Sequence, residues 1–371
     1  MKNNPAPDKP VTSSGRHPMD MAWGKLRANR VAMVCLAVLV CAYLTAIFAP
    51  FLSPYDYRKN ELEKSFMPPV ELHFRTPDGK FTLRPFIYEY RMADRAETRY
   101  EQDKSRMYPI HFFVEGEPYQ LFGLIPAKKR LFGVESPARI SLLGADQYGR
   151  DVFSRLLMGG QISLSIGLIG CLITFPLGLL VGGLSGYYGG RWDTLIMRST
   201  EVLMSIPGLY LILSLRASFP QNMTSTQVYL MIVMILSFIG WAGFSRVIRG
   251  MVLSEREKPY VAAARALGQK DIVIIVRHIL PSTLSYCIVA ATLSIPGYIL
   301  GEAVLSFIGV GIQEPDTSWG LMLAQAQSHR VLTSFWWILS PGFVIFAVVL
   351  AFNFLGDGLR DALDPKMKVM K

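Results

Sequence analysis

The segment Lys258-Pro-Tyr-Val-Ala-Ala-Ala-Arg-Ala-Leu-Gly268 and its continuation Gln-Lys-Asp-Ile-Val-Ile-Ile-Val-Arg-His-Ile-Leu-Pro281 form the longest basic interval between two apolar runs. The residue before a proline is pushed out of the α region, so Pro259 predicts the end of the preceding helix. Alanine, arginine and leucine favour helix, so residues 260–267 are predicted to form a short helix. Gly268 is suited to the left-handed conformation that stops such a helix.

The predicted short helix has a shallow apolar face with a basic rim. The residues at i, i+3, i+4 and i+7 that share this face are Tyr260, Ala263, Ala264 and Leu267. Such a face is too small to form a core of its own, so we interpret it as a docking element held between two membrane spans. Asp271 is expected to cap the next helix, and Pro281 is expected to interrupt it.

The same segment resembles the EAA loop of ABC importer permeases. The family pattern is Glu-Ala-Ala, three residues, Gly, nine residues and a short stretch that ends in Leu-Pro; this chain keeps that spacing but has Ala262 where the family has Glu. The resemblance implies that the helix docks on a cytoplasmic ATPase, and Ala262 removes any salt bridge that the Glu would make. The residues that it assigns to ATPase coupling are Tyr260, Ala262, Ala263, Ala264, Arg265, Leu267, Gly268, His278 and Pro281. The structural alternative is an ordinary amphipathic loop.

Composition places the chain among membrane proteins. Of its 371 residues 51% are hydrophobic, and the mean hydropathy is +0.30. The net charge of +10 is concentrated in loops between apolar runs, which indicates membrane topology rather than nucleic-acid binding. The four cysteines lie inside apolar runs without metal-ligand spacing, so neither a disulfide framework nor a zinc site is predicted.

Apolar runs of membrane length predict six spans. They cover residues 31–52, 161–190, 199–217, a stretch that ends near Phe244, 283–307 and 333–355. The first run is too long for the apolar part of a cleaved signal peptide, so we favour an uncleaved span. Lysine and arginine crowd residues 246–277, which predicts that both termini and this loop are cytoplasmic.

The predicted fold is therefore an all-α polytopic membrane protein with six transmembrane helices and a small, mostly β extracytoplasmic insert. Its parts are a cytoplasmic segment (1–30), helix 1 (31–52), the insert (53–150), a core (151–358) with the coupling loop 250–281, and a cytoplasmic tail (359–371). Residues 70–76 and 81–88 flank a Pro-Asp-Gly turn and predict a hairpin. Residues 110–114 and 119–122 suggest a second hairpin.

Three further stretches resemble dipeptide, oligopeptide and nickel permeases. The first, Leu143-Gly-Ala-Asp-Gln-Tyr-Gly-Arg-Asp-Val-Phe-Ser-Arg155, departs from the family pattern only in having Ala145 for Thr. Its acids and arginines predict a charged collar at the membrane surface, and we favour a structural role over substrate contact. The other two lie at residues 302–320 and 353–365. The resemblance covers the first span and residues 140–366, but it assigns no role to the insert.

Few polar residues lie within the predicted spans. A carboxyl group at membrane depth is costly unless it faces protein or water, which makes Glu302 the first candidate for a translocation path. The alternative is a hydrogen bond between helices. The path candidates are Glu302, Ser205, Pro207 and Ser306. Gly178, Gly182, Gly186 and Gly190 recur every four residues, which predicts close helix packing.

The sequence contains no phosphate-binding Gly-x-x-x-x-Gly-Lys-Ser/Thr loop, no metal pair of histidines and no nucleophile elbow. We therefore expect a transport subunit that is not an enzyme, with no metal or cofactor of its own and with ATP and Mg²⁺ held by partner subunits. The resemblance implies a second, homologous permease, two cytoplasmic ATPases and an extracytoplasmic solute-binding protein, in the inner membrane of a bacterium. No nucleic-acid partner is expected.

Two other function classes stay open at this point. An ion-coupled secondary transporter would show inverted repeats and several intramembrane acids. A membrane-anchored protein whose insert does the work would have featureless spans and no docking loop. Family precedent suggests a peptide as the substrate, less often nickel or a modified peptide, and the sequence alone does not decide among them.

Overall fold

The computed structural model describes residues 18–95, 98–121, 123–220 and 223–364. The helices are α1 (Pro18–Ala28), α2 (Arg30–Ile47), α3 (Ala49–Leu52), α4 (Val152–Tyr188), α5 (Gly190–Ser205), α6 (Gly208–Ala217), α7 (Ser225–Glu255), α8 (Pro259–Ala266), α9 (Asp271–Ile274), α10 (Leu280–Phe307), α11 (Trp319–Ala324), α12 (His329–Ser334) and α13 (Ser340–Leu363). The strands are β1 (His73–Arg75), β2 (Phe81–Asp94), β3 (Arg99–Pro109), β4 (His111–Leu121) and β5 (Ile125–Gly133).

The membrane spans are five long apolar helical stretches and one bent pair of helices. Within the described residues the five are α2, α4, α7, the stretch from α9 through α10, and the stretch from Trp336 through α13. The helices α5 and α6 give a sixth crossing if they are counted as one span. The predicted polytopic helical fold is thus confirmed, although α4 begins nine residues before the predicted span and α7 continues to Glu255.

The predicted span over residues 199–217 is not one straight helix. The axes of α5 and α6 meet at an angle of 88°. Ile206 has ψ of 125°, because the ring of Pro207 excludes the α conformation from the residue before it. The region predicted as one span therefore consists of two short helices that meet at a sharp bend.

Pro281 does not interrupt its helix, contrary to the prediction. It lies near the start of α10, directly after a wider π-helical turn, and the stretch from α9 through α10 stays one span. The residues before it, Ile275–Ile279, form one π-helical turn that joins α9 to α10. Asp271 is the first residue of α9 rather than its cap, so its carboxylate is available for a contact elsewhere.

The helical core depends on the close packing of α4 against α7. A Cβ added at Gly182 would lie 2.4 Å from the carbonyl oxygen of Ser245, and one at Gly186 would lie 2.7 Å from that of Arg249. Larger residues would separate the two helices, which explains the glycines at 178, 182 and 186. The predicted fourth member, Gly190, begins α5 and has no atom within 4 Å of an added Cβ, so it takes no part in this packing. Around this pair, α10 packs on α4 and α13, and α2 packs on α13.

The insert forms two antiparallel sheets, β1-β2-β3 and β4-β5. The first predicted hairpin is present, with Gly79 at φ +78° in its turn. The second is wrong: Gly116 lies at a register shift inside β4, and the chain turns at Gly123 instead. A glycine inside a strand often marks such a bulge rather than a turn.

Candidate functional site

The helix α8 is delimited as the sequence predicts. Lys258 is extended, with ψ of 148°, and Pro259 occupies the first helical position. At the other end Gly268 has φ of +72°, and the Gln269 N–H donates to the carbonyl oxygen of Ala264 at 3.2 Å. Both ends are therefore fixed by backbone geometry.

The face of α8 that points away from the protein is small and apolar. Val261 and Ala264 are buried against the chain's own core. The exposed residues around them are Ala262, Ala263, Arg265, Ala266 and Leu267. Ala264 was expected on the docking face, but it turns inward one helical turn after Val261. Leu267 is the most exposed large apolar side chain of this segment, with 80% of its surface exposed, and Tyr260 is 41% exposed.

One carboxylate at the end of α7 holds the start of α8. Glu255 accepts hydrogen bonds from Lys258 Nζ and from the Tyr260 hydroxyl, both at 2.5 Å. Partial burial and the neighbouring carboxylate raise the pKa of Tyr260 to about 12. The hydroxyl is therefore protonated at neutral pH and can donate to Glu255.

A second connection joins α8 to the ends of α4 and α9. The Tyr187 hydroxyl donates to Asp271 Oδ1 at 2.7 Å and accepts from Arg265 Nε at 3.2 Å. The Arg265 guanidinium also lies 4.9 Å from the centre of the Tyr187 ring, within the range of a cation–π contact. The coupling segment is thus bonded to two spans. Tyr187 and Glu255 carry no signal in the sequence, because neither belongs to the motif.

The remaining coupling candidates lie in the loop after α8, at the start of α10 and on the exposed side of α8. His278 Nε2 lies 2.8 Å from Gln269 Oε1, which links the π-helical turn to the loop after α8. Pro281 is exposed in the first turn of α10, and Ala262 is exposed at the position of the family Glu. The structure therefore gathers all nine predicted coupling residues within one loop and its flanking helix.

Glu302 lies in a hydrogen-bond network between helices. Its side chain is completely buried and accepts from the hydroxyls of Ser163 at 2.9 Å and Ser306 at 2.7 Å. These two hydroxyls accept in turn from the backbone N–H groups of Trp319 and Ile312. This geometry matches the alternative of an interhelical hydrogen bond, with Glu302 fixing the chain that follows α10.

Ser205 and Pro207 lie apart from this network, at the exposed break between α5 and α6. The Ser205 hydroxyl donates to the carbonyl oxygen of Val202 at 2.8 Å. Within the described residues no hydrogen bond joins either residue to Glu302. The assignment of these residues and Ser306 to a translocation path remains a prediction.

The charged collar is present, and its partner is Glu314, which the sequence did not indicate. Arg150 Nε donates to Asp146 Oδ2 at 2.8 Å, and the guanidinium groups of Arg150 and Arg155 both bind Glu314. Burial alone would raise the pKa of Glu314, but the hydrogen bonds and charges of the two arginines lower it below its usual value. The collar therefore clasps the loop 308–318 onto the start of α4.

A second acid of the same loop is also held. Asp316 accepts from the Tyr57 hydroxyl at 2.9 Å and from Arg58 at 2.5 Å. Both ion-paired acids thus tie this loop to the segments that leave and enter the membrane. Within the described part of the chain no cluster of three His, Cys, Asp or Glu side chains is arranged to hold a metal ion.

Two family models match the chain. The model described as binding-protein-dependent transport system inner membrane component matches residues 175–369. The model described as the N-terminal TM domain of oligopeptide transport permease C matches residues 17–69. The two matches include the coupling segment and the first span, and they leave most of the β insert outside.

The curated relatives that match are named as permease proteins of transport systems. The chain is 33% identical over 348 residues to the dipeptide transport system permease protein DppC of Bacillus subtilis, covering 94% of this chain and 85% of that protein. It is 41% identical over 223 residues to the oligopeptide transport system permease protein OppC of Haemophilus influenzae, covering 60% and 70%. It is 42% identical over 234 residues to the glutathione transport system permease protein GsiD of Pectobacterium atrosepticum, covering 63% and 75%.

Proposed function

The chain belongs to the family of binding-protein-dependent transport system inner membrane components, and from this premise we propose how its parts serve transport. It is a multi-pass permease subunit of an ABC importer, and it works with ATPase and permease partners. ATP hydrolysis belongs to the partner subunits, and the relatives give no support to the ion-coupled alternative.

We propose that α8 is the element that an ATPase subunit moves. The observation that carries this proposal is the pair of connections from α8 to the spans, through Glu255 at the end of α7 and Tyr187 at the end of α4. The outward face, centred on Ala263 and Leu267, is left free to sit in a groove of the ATPase. In the proposed arrangement α8 and both termini lie on the cytoplasmic side.

The proposed assembly contains this chain, a second homologous permease, two ATPases that hold ATP and Mg²⁺, and an extracytoplasmic solute-binding protein. Closure of the ATPase dimer would displace α8, and the spans would respond by alternating access. The proposed substrates are peptides, including small modified peptides such as glutathione, because the relatives are named for dipeptide, oligopeptide and glutathione transport.

The insert is proposed to cap the outer mouth of the pathway or to contact the solute-binding protein. Its position between α3 and α4 places it at one surface of the membrane. Deletion of residues 60–135 is expected to impair uptake or docking of the binding protein. If both were unchanged by the deletion, the insert would have no such role.

The docking of α8 is tested by co-purification from mild detergent, followed by identification of the subunits by mass. The variant Gly268→Asp adds a charge beside the docking face, and we expect it to lose the ATPases while keeping the second permease. The matched control is Gly79→Asp. Both glycines have positive φ, of +72° and +78°, and neither has an atom within 4 Å of an added Cβ.

The two substitutions impose the same backbone cost. A difference in ATPase recovery between the two variants therefore reflects where the added charge lies, beside α8 or in the insert. Loss of the ATPases in Gly268→Asp alone supports the docking proposal. Equal recovery of ATPases in both variants would contradict the assignment of α8. Recovery of the wild-type chain without any ATPase would contradict the proposed assembly as a whole.

A further inference from the structure

The break between α5 and α6 lies at membrane depth. A Cβ added at Gly243 of α7 would lie 3.8 Å from Met204 of α5, so the end of α5 is level with Gly243. Gly243 is about 27 Å from Ser225 and about 18 Å from Glu255, the two ends of α7, at 1.5 Å per residue. A hydrocarbon layer about 30 Å thick that α7 crosses includes this level wherever it falls along the helix.

The exposed backbone at this break cannot face lipid. Residues 205–208 are all exposed, and no side chain caps the first turn of α6. The first N–H groups of α6 and the last carbonyl groups of α5 have no partners within their own helices. Lipid offers no hydrogen bonds, so non-helical backbone at this depth must be covered by protein or line a water-filled cavity.

A cavity of about 340 Å³ lies beside the break at the same depth. Its walls come from α4, α6, α7 and α10, and they include Ile212 of α6 and Gly240 of α7. A Cβ added at Gly240 would lie 2.7 Å from the Tyr298 hydroxyl, so this glycine leaves room for the hydroxyl. Gly297 is exposed, and no described atom lies within 4 Å of an added Cβ, so its backbone is open to the cavity.

Among the described lining residues the polar side chains are uncharged hydroxyls. Tyr298 donates to Thr174 Oγ1 at 2.6 Å, and Thr174 donates to the carbonyl oxygen of Ser237 at 3.3 Å. The Ser294 hydroxyl donates to the carbonyl oxygen of Ala290 at 2.7 Å. Each donor is thus used, whereas the oxygens of Tyr298 and Ser294 keep lone pairs that can accept a further hydrogen bond. These oxygens suit the N–H groups of a peptide backbone.

A second cavity continues from the first toward the side of the membrane where α8 lies. It has a volume of about 620 Å³, shares Leu293 and Ser294 with the first, and ends at Arg360 and Asp364 of α13. Asn353 lies two turns before Arg360 on the same side of α13, about 15 Å from the end of the helix. Its side chain is exposed, and none of the described residues forms a hydrogen bond with it. An exposed amide at this depth is costly in lipid, which again indicates protein or water on this face.

We propose that the first cavity is a peptide subsite of the translocation path, in which Tyr298 and Ser294 accept hydrogen bonds from backbone N–H groups, and that the second cavity is its exit. This proposal rests on the proposed function of the chain as a peptide permease. It places the path beside Ser205 and Pro207, and it leaves Glu302 in the packing of α10 against α4. Because the described lining of the subsite carries no charge, binding should tolerate different peptide side chains.

The first test measures water access and needs no substrate. The importer is assembled with its partner subunits in nanodiscs, and the more accessible cysteines of the chain are removed as Cys35→Ala and Cys41→Ala. Ser294→Cys is compared with Leu172→Cys, at a position that is 72% exposed on the side of α4 opposite Thr174. We expect an anionic thiosulfonate reagent to label position 294 several-fold faster than position 172. Equal rates at the two positions would overturn the proposal.

The second test fills the subsite. Gly297→Leu is compared with Gly24→Leu in α1, because both glycines are helical and exposed and neither has an atom within 4 Å of an added Cβ. Uptake of dialanine, trialanine and glutathione is measured in proteoliposomes with the solute-binding protein present. We expect Gly297→Leu to reduce uptake several-fold while the chain keeps its ATPases and the second permease, and Gly24→Leu to leave uptake at the wild-type level. Tyr298→Phe, which keeps the ring, should raise the KM for uptake several-fold with little change in kcat.

Uptake at the wild-type level in Gly297→Leu would overturn the subsite. Loss of the second permease from that variant would also overturn it, because this face would then be a contact between the two permeases. Absence of uptake of all three compounds by the wild-type importer would contradict the proposed function in peptide transport, and with it the peptide assignment of the subsite. The labelling rate at position 294 would still decide whether the path lies on this face.

Discussion

Replacement of Tyr187 by phenylalanine tests how α8 transmits its movement to the spans. The change keeps the buried ring and its contact with the Arg265 guanidinium, but it removes the hydroxyl that bonds to Asp271 and Arg265. Both partners are exposed and can bond to water instead, so no buried polar group is left unsatisfied. Two bonds worth about 1 kcal/mol each are lost. The total of about 2 kcal/mol corresponds to roughly a 30-fold weaker preference for the bonded arrangement.

The expected result is a loss of coupling rather than a loss of assembly. The outward face of α8 is unchanged, so the ATPases should still bind, and Glu255 still holds the start of the helix. In proteoliposomes that contain the assembled importer, the amount of substrate taken up per ATP hydrolysed should fall several-fold. The measurement therefore needs uptake and hydrolysis in the same preparation.

The neighbouring residue supplies the control. Tyr188 is 57% exposed, and its hydroxyl forms no hydrogen bond within the described part of the chain. Tyr188→Phe should therefore leave the ratio of uptake to hydrolysis at the wild-type value. An unchanged ratio in Tyr187→Phe, with the protein intact, would refute the proposed transmission through this hydroxyl.

Three other predictions concern stability and the clasp. Because the folded-state pKa of Glu314 lies below its usual value of 4.5, the clasp should persist above that pH and be lost as the pH falls through the lowered pKa. The protection of residues 308–318 against hydrogen exchange, measured relative to the intrinsic rate at each pH, should fall in acid, and Glu314→Gln should abolish that dependence. Gly149→Ala places Cβ 1.8 Å from a backbone oxygen and should lower the unfolding midpoint far more than Gly190→Ala, which meets only the cost of positive φ. Glu302→Ala should destabilise the chain by about 3 kcal/mol in a detergent unfolding assay, since it leaves two buried hydroxyls without their acceptor.

Local signals in the sequence were sufficient to identify the long apolar helices and α8, but not the ends of the spans. Apolar length identifies a crossing whatever its neighbours are, and Pro259 and Gly268 limit α8 through their own backbone preferences. The bend at Pro207 had a local cause too, but the apolar run continued through it. Apolar composition alone therefore did not indicate the bend between α5 and α6.

Contacts between distant segments had no local signal. Tyr187 lies 78 residues from Arg265, and its aromatic character suits a core position equally well. Glu314 lies 164 residues from Arg150, so the family motif named the arginines but not their acid. The strand β5 was missed because its start, Ile-Pro-Ala-Lys-Lys-Arg, lacks the apolar alternation of a half-buried strand. The strand forms because it pairs with β4, and the sequence of β5 alone does not indicate this pairing.

The length of α7 has a mechanical consequence. Its 31 residues extend for about 46 Å, whereas the hydrocarbon layer is about 30 Å thick. The helix contains no proline and is supported along its length by α4, so it behaves as a stiff rod. A push on Glu255 at one end cannot be absorbed locally by bending. It must appear as a tilt or a translation at Ser225, on the opposite surface, beside the loop whose acids are clasped there.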